Sequence, residues 1–231
     1  MVSFVKKAAK ERRKVVEYLK GGAGFFGKRA FCAALAVCLF GVCLSGCQNK
    51  ADAGEADADT SRQEGQQECY ADIDMQDYGV ITLKLEPEEA PVTTENFINL
   101  AKDGFYDGLT FHRIIEGFMM QGGDPDGNGT GGSEQTIEGE FSNNGHDNSL
   151  SHTRGAVSMA RSRDYNSASS QFFIVHEDST FLDGEYAVFG YVTEGMDIVD
   201  EICTSAQPAD GDGAIPPEAQ PVIRTVTIRM E

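Results

Sequence analysis

The chain has 231 residues, 40% hydrophobic and 24% charged, enough for one substantial domain with appendages. Nine of its 19 basic residues lie before residue 47 beside only two acids, Glu11 and Glu17, which leaves ten bases against 35 acids, a net of −25, in the remainder. A surface of that sign cannot neutralise phosphates, so nucleic acid is excluded as a general partner.

The basic N-terminal stretch runs into residues 30–44, AFCAALAVCLFGVCL, apolar throughout and then closed by SGC. Fifteen residues are short for a membrane span and suit the apolar region of a secretory signal. Leu44-Ser45-Gly46-Cys47 resembles the lipobox of bacterial lipoproteins, in which small residues before the cysteine fit a peptidase cleft and the cysteine is lipidated. The expectation is a lipoprotein signal over 1–46, a lipid anchor on Cys47, and an extracytoplasmic protein held at the cell membrane. Cys32, Cys38 and Cys43 then leave with the signal, and Cys69 and Cys203 remain, either as a bridge or as two buried thiols. Residues 47–68 hold many acids and no large apolar side chain after the cysteine, so they read as a solvated tether before a domain over 69–231.

From Cys69 the pattern changes. Ile81, Leu83 and Leu85 alternate with polar neighbours over 80–85, as in a half-buried strand. Pro91 to Glu95 starts a helix whose stripe is Phe97, Leu100 and Ala101, and Gly104 ends it. Further strands are predicted at 111–115, 117–121, 156–160, 171–175, 187–192 and 222–229, and a second helix at 196–202 with Met196, Val199 and Ile202 on one side. About eight short strands and two helices predict a mainly β fold: a closed eight-stranded antiparallel barrel capped by the helices.

Three segments do not read as plain core: FHRIIEGFMMQGGD (111–124), GAVSMARS (155–162) followed by SSQFFIV (169–175), and FLDGEYAVFG (181–190). A core strand needs neither Arg113 nor Gln121, and a solvated loop does not favour Phe118, Met119 and Met120. Taken singly, the apolar residues would be ordinary barrel core and Arg113 a surface ion pair. In this order and spacing the segments resemble the cyclophilin family of peptidyl-prolyl isomerases, with the likeness running from about residue 70 to 229.

The resemblance implies an enzyme that accelerates rotation about X-Pro bonds in exported or unfolded proteins, without metal or cofactor. It implies Arg113 and Gln121 as the catalytic residues, with Gln121 orienting Arg113 or binding a substrate carbonyl. Phe118, Met119, Gln171, Phe173 and Leu182 match pocket positions, and Gly129 and Ala160 match positions that contact the substrate chain. Three residues depart from the pattern. Phe181 stands where well-known members carry a tryptophan that contacts the drug cyclosporin, Tyr186 replaces a pocket histidine, and Arg161 replaces an asparagine whose backbone binds substrate. Weak cyclosporin binding is therefore expected. The alternative is a module that binds proline-containing segments as a chaperone or adhesion surface with little turnover. Arg113 favours the enzyme, because holding proline requires only the apolar slot.

Other motifs carry less. Asp124-Pro125-Asp126-Gly127-Asn128-Gly129 starts like a calcium loop, yet its twelfth position is Gln135 rather than a bidentate glutamate. The four histidines (112, 146, 152 and 176) show no ligand spacing, and Ser170 has no evident His–Asp partner.

Overall fold

The computed structural model describes residues 67–231. The signal segment expected over 1–46, the expected lipidation of Cys47 and the expected tether up to residue 66 lie outside the described residues. Eight strands and two α-helices follow one another: β1 (Cys69–Met75), β2 (Gly79–Leu85), α1 (Pro91–Lys102), β3 (Thr110–Ile115), β4 (Met119–Asp124), β5 (Ala156–Met159), β6 (Phe172–Val175), β7 (Val188–Glu194), α2 (Met196–Ser205) and β8 (Ile223–Met230).

Strand β1 is absent from the seven strand segments predicted above. Its inward residues Cys69, Ala71, Ile73 and Met75 alternate as a strand should, but two of the outward ones are aspartates, which strands disfavour. Cross-strand partners offset that cost. Asp72 accepts from Arg229 Nε at 2.6 Å and from Thr82 Oγ1 at 2.8 Å, and Asp74 takes both its bonds from Arg224.

The strands form one sheet in the order β3-β4-β6-β5-β7-β2-β1-β8, each neighbouring pair antiparallel. The sheet curls into the expected barrel, with register shifts at β1, β2, β3 and β5 supplying local bends. Closure comes from the segment leading into β8. Thr110 bridges Val222, Ile114 N donates to Gly213 O at 2.8 Å, and Ile215 N donates to His112 O at 2.9 Å.

The barrel is filled by Ile73, Leu83, Phe111, Met120, Phe172, Ile174 and Phe189, among others. Helix α1 inserts Phe97 into this core, 5.1 Å from Tyr106 and 5.4 Å from Phe172 between ring centres. No local side chain caps α1. Instead the buried Glu140 reaches its N-terminus from far along the chain, accepting from Val92 N at 3.0 Å and Thr93 N at 2.8 Å, where a carboxylate also opposes the positive end of the helix. Helix α2 buries Val199, Ile202 and Cys203. Cys69 and Cys203 are buried free thiols, so the bridge left open by the sequence does not form.

A second apolar cluster lies apart from the barrel core. Met120, Phe172 and Ile174 face the barrel, whereas their neighbours Met119, Phe173 and Val175 pack with Ala156, Leu182 and Val188. Strand β6 is consequently buried on both faces, which is why FFIV reads as a continuous apolar run rather than an alternation.

Candidate active site

Strands β3 and β4 place Arg113 directly opposite Gln121. Arg113 Nη1 lies 3.3 Å from Gln121 Oε1 and 3.9 Å from Met119 Sδ, while Arg113 Nε donates to Asp212 O at 2.8 Å. Gln121 Nε2 donates in turn to Gln171 Oε1 at 2.9 Å, and Gln171 Nε2 donates to Gly131 O at 2.7 Å. These amides therefore form a directed chain in which each oxygen accepts and each nitrogen donates onward. The guanidinium at its head is held at two edges. That arrangement limits rotamer freedom in a side chain that is otherwise costly to order.

The apolar wall beside this chain belongs to the second cluster. Met119, Phe173 and Leu182 are buried, and Phe118, Ala160 and Tyr186 pack against them. Phe118 does not sit on a strand, as the segment 117–121 had suggested; β4 begins only at Met119, and Phe118 closes the turn after β3. Gly117, with φ 75°, makes that turn. The Phe118 ring stacks on Phe181, 5.7 Å away, and Phe181 is 41% exposed. Tyr186 meets Phe173 edge to face at 5.9 Å.

The glycines after Gln121 allow close backbone approach. A Cβ at Gly123 would come within 2.5 Å of Ser170 O, and one at Gly122 within 2.8 Å of Thr110 O. A cleft of about 350 Å³ adjoins the amide chain, lined by Gly129, Thr130, Gly131, Ala160, Arg161 and Gln171, among others. Arg161 does not project freely into it. Its guanidinium lies over the rings of Phe141, Tyr165 and Tyr186, at 5.1, 4.8 and 4.7 Å from their centres, and donates twice to Glu185 O.

The calcium-like loop is used differently. The buried Asp124 carboxylate accepts the backbone N–H groups of Asp126, Asn128 and Gly129, at 2.8, 3.0 and 2.5 Å. Burial pushes its pKa up, but these bonds outweigh it and hold the group below the ordinary carboxylate range. Its oxygens thus brace the cleft loop and are not offered to a cation.

Two histidines with no sequence signal stand behind the wall. His152 Nδ1 is 2.8 Å from Asp183 Oδ1, and Nε2 is 3.0 Å from Ser158 Oγ. Since the carboxylate only accepts, Nδ1 carries the proton and Ser158 donates to Nε2. His152 and Ser158 are fully buried, which denies this Ser–His–Asp set any access to substrate. His176 braces the Phe118 turn, bonding Gly117 N through its ring and Phe118 O through its backbone N. Spacing could not have revealed either arrangement, because the partners come from different turns and strands.

The curled antiparallel barrel thus carries an arginine and two glutamines aligned beside an outer apolar wall. The chain belongs to the family described as cyclophilin type peptidyl-prolyl cis-trans isomerase/CLD, whose model matches residues 70–228. It is 50% identical over 123 residues to peptidyl-prolyl cis-trans isomerase B of Bacillus subtilis, covering 53% of this chain and 82% of that one. It is 44% identical over 147 residues to a peptidyl-prolyl cis-trans isomerase of Helicobacter pylori, covering 62% and 86%. The crystal structure of a cyclophilin type isomerase from Cryptosporidium parvum is similar in fold, with a TM-score of 0.62 and 28% identity, covering 70% of this chain and 98% of the other. The protein is a cyclophilin-type peptidyl-prolyl cis-trans isomerase.

Proposed function

We propose that Arg113 accelerates X-Pro rotation by stabilising the twisted amide, and that the clients are exported proteins near the membrane. Amide resonance sets a rotational barrier of roughly 18–20 kcal/mol, and crossing it leaves the prolyl nitrogen pyramidal and basic. Phe118, Met119, Phe173 and Leu182 hold the pyrrolidine ring, with Tyr186 packed edge-on behind Phe173. Arg113 donates to the prolyl nitrogen, a bond that strengthens as the amide twists and so favours the transition state over the ground state. Gln121 and Gln171 orient Arg113, and the adjoining cleft at Gly129, Ala160 and Arg161 accommodates the chain beside the proline. No bond is broken and no proton need be transferred.

The observation that carries this reading is the Arg113–Gln121–Gln171 chain lying beside the apolar wall. A protease-free peptide isomerisation assay on the purified protein tests it. Catalysed interconversion is expected, and a rate equal to the uncatalysed one would leave a proline-binding module instead.

The basic stretch, apolar run and LSGC support an anchor on Cys47. A Cys47→Ala variant should accumulate as unprocessed precursor and take up no lipid label. Normal labelling of that variant contradicts the anchor.

A further inference from the structure

The turn that presents Phe118 is held from both sides by one residue. His176 follows β6, and its backbone N donates to Phe118 O at 2.9 Å. Its ring Nδ1 accepts from Gly117 N, also at 2.9 Å. A backbone amide can only donate, so Nδ1 carries no proton and Nε2 carries it. Nε2 faces Asp200 Oδ1 on α2 at 3.1 Å. Arg154 completes the set, pairing with the Asp200 carboxylate at 2.8 Å and donating to His176 O at 2.7 Å. The His176 side chain is only 8% exposed, and its bond to Gly117 is part-buried.

We propose that His176 is a positioning residue for isomerisation, fixing Phe118 against the proline pocket by accepting the Gly117 N–H. The inference rests on the reading that Phe118 lines that pocket. Glycine at positive φ has no side chain to hold its conformation, so the imidazole bond adds a restraint at Gly117 to the backbone bonds that already hold Phe118 N and O. Asp200 acts one step further back. Its carboxylate selects the tautomer whose Nδ1 can accept, just as an outer carboxylate orients a metal-bound imidazole. The packing of α2 against the barrel is thereby connected to the pocket rim.

The test combines rescue with a double-mutant cycle. His176→Ala should lower kcat/KM about tenfold, the scale expected when a substrate-contacting group is displaced by a fraction of an ångström. His176→Asn places an amide oxygen near the position of Nδ1 and should recover activity to within about threefold of wild type, because the Gly117 acceptor is restored. On a Phe118→Ala background, His176→Ala should cost nothing further, since its effect passes through the absent ring. In the wild-type protein the Gly117 amide should exchange with solvent slowly, a measurement that needs no variant to fold.

Wild-type kcat/KM in a folded His176→Ala protein overturns the proposal. So does full additivity of His176→Ala with Phe118→Ala, or free exchange at Gly117. If Phe118→Ala itself leaves kcat/KM unchanged, the pocket reading fails and this inference falls with it. If only the Phe118 variant is impaired, the pocket stands and His176 has no part in it.

Discussion

The imidazole of His152 lies face to face with Phe173, 5.9 Å between centres and 14° between planes. Asp183 and Ser158 hold the ring by its two nitrogens, and Ser158 lies directly opposite Phe173 across the β5–β6 ladder. Asp183 also accepts from Ser151 Oγ and His152 N, at 2.6 and 2.7 Å, and follows Leu182 in sequence. One buried ring therefore joins the strand behind the pocket, the aromatic floor, and the turn that carries Leu182.

This arrangement predicts a pH dependence of stability. Burial lowers the pKa of His152, only partly offset by Asp183, so the folded state binds its proton less readily than the unfolded chain, where the value is about 6.5. Below that pH the unfolded state takes up the proton first, and the stability contributed by neutral His152 declines as pH falls towards the folded pKa. Asp183 acts lower on the scale. Burial raises its pKa, but the bonds from Ser151 and His152 outweigh it, so its contribution is present above the ordinary carboxylate range and lost as pH falls through the folded value. Melting temperature measured from pH 7.5 to 5 should fall further for wild type than for His152→Gln, which cannot titrate. Parallel curves contradict the assignment.

The two cysteines should be inert in the folded protein. Burial raises the pKa of both, and Cys203 is pushed up to about 12 with help from the charges of Asp200 and Glu116. Peptide mapping after alkylation at pH 8 should find Cys69 and Cys203 unmodified natively and fully modified in urea, with or without reductant. Rapid native labelling of either, or protection in urea that reductant removes, contradicts this.

Phe181 stacks on Phe118 and leaves 41% of itself exposed, so its ring is available to a ligand but offers no donor. Resemblance to the family places an indole at this position in cyclosporin-sensitive members. Phe181→Trp should therefore strengthen inhibition by cyclosporin in a competition assay. An unchanged inhibition curve places the drug elsewhere.

Gln121 is the link between Arg113 and Gln171. Gln121→Leu keeps the volume but removes both bonds, and it should lower kcat about tenfold while leaving KM nearly unchanged, as expected when a transition-state contact loses its orientation. A rise in KM at constant kcat assigns Gln121 to ground-state binding instead.

The residues of the apolar wall were legible because most lie in contiguous stretches whose composition conflicts with simple core or simple loop. Arg113 and Gln121 stood out among aromatics and methionines for that reason. Strand β1 was not read, because Asp72 and Asp74 obscure an alternation that makes sense only once Arg229 and Arg224 are seen beside them. The boundary of β4 was placed early because Phe118 continues the apolar pattern while Gly117 turns the chain. The braces were beyond reach for a different reason. Glu140 on α1, Asp183 on His152 and His176 on Gly117 join residues separated by 31 to 59 positions, and no local period encodes such a meeting. Arg161 shows the same limit: its place in the motif is plain, but its cage of Phe141, Tyr165 and Tyr186 is assembled from three loops.

The most direct test of the account is turnover by Arg113→Ala, once circular dichroism has established that the variant is folded. Turnover should fall at least about a hundredfold, the scale associated with loss of a preorganised transition-state donor. Binding of a proline peptide should weaken much less, because Phe118, Met119 and Phe173 still form the wall. A folded Arg113→Ala protein that isomerises the peptide as fast as wild type would contradict the account.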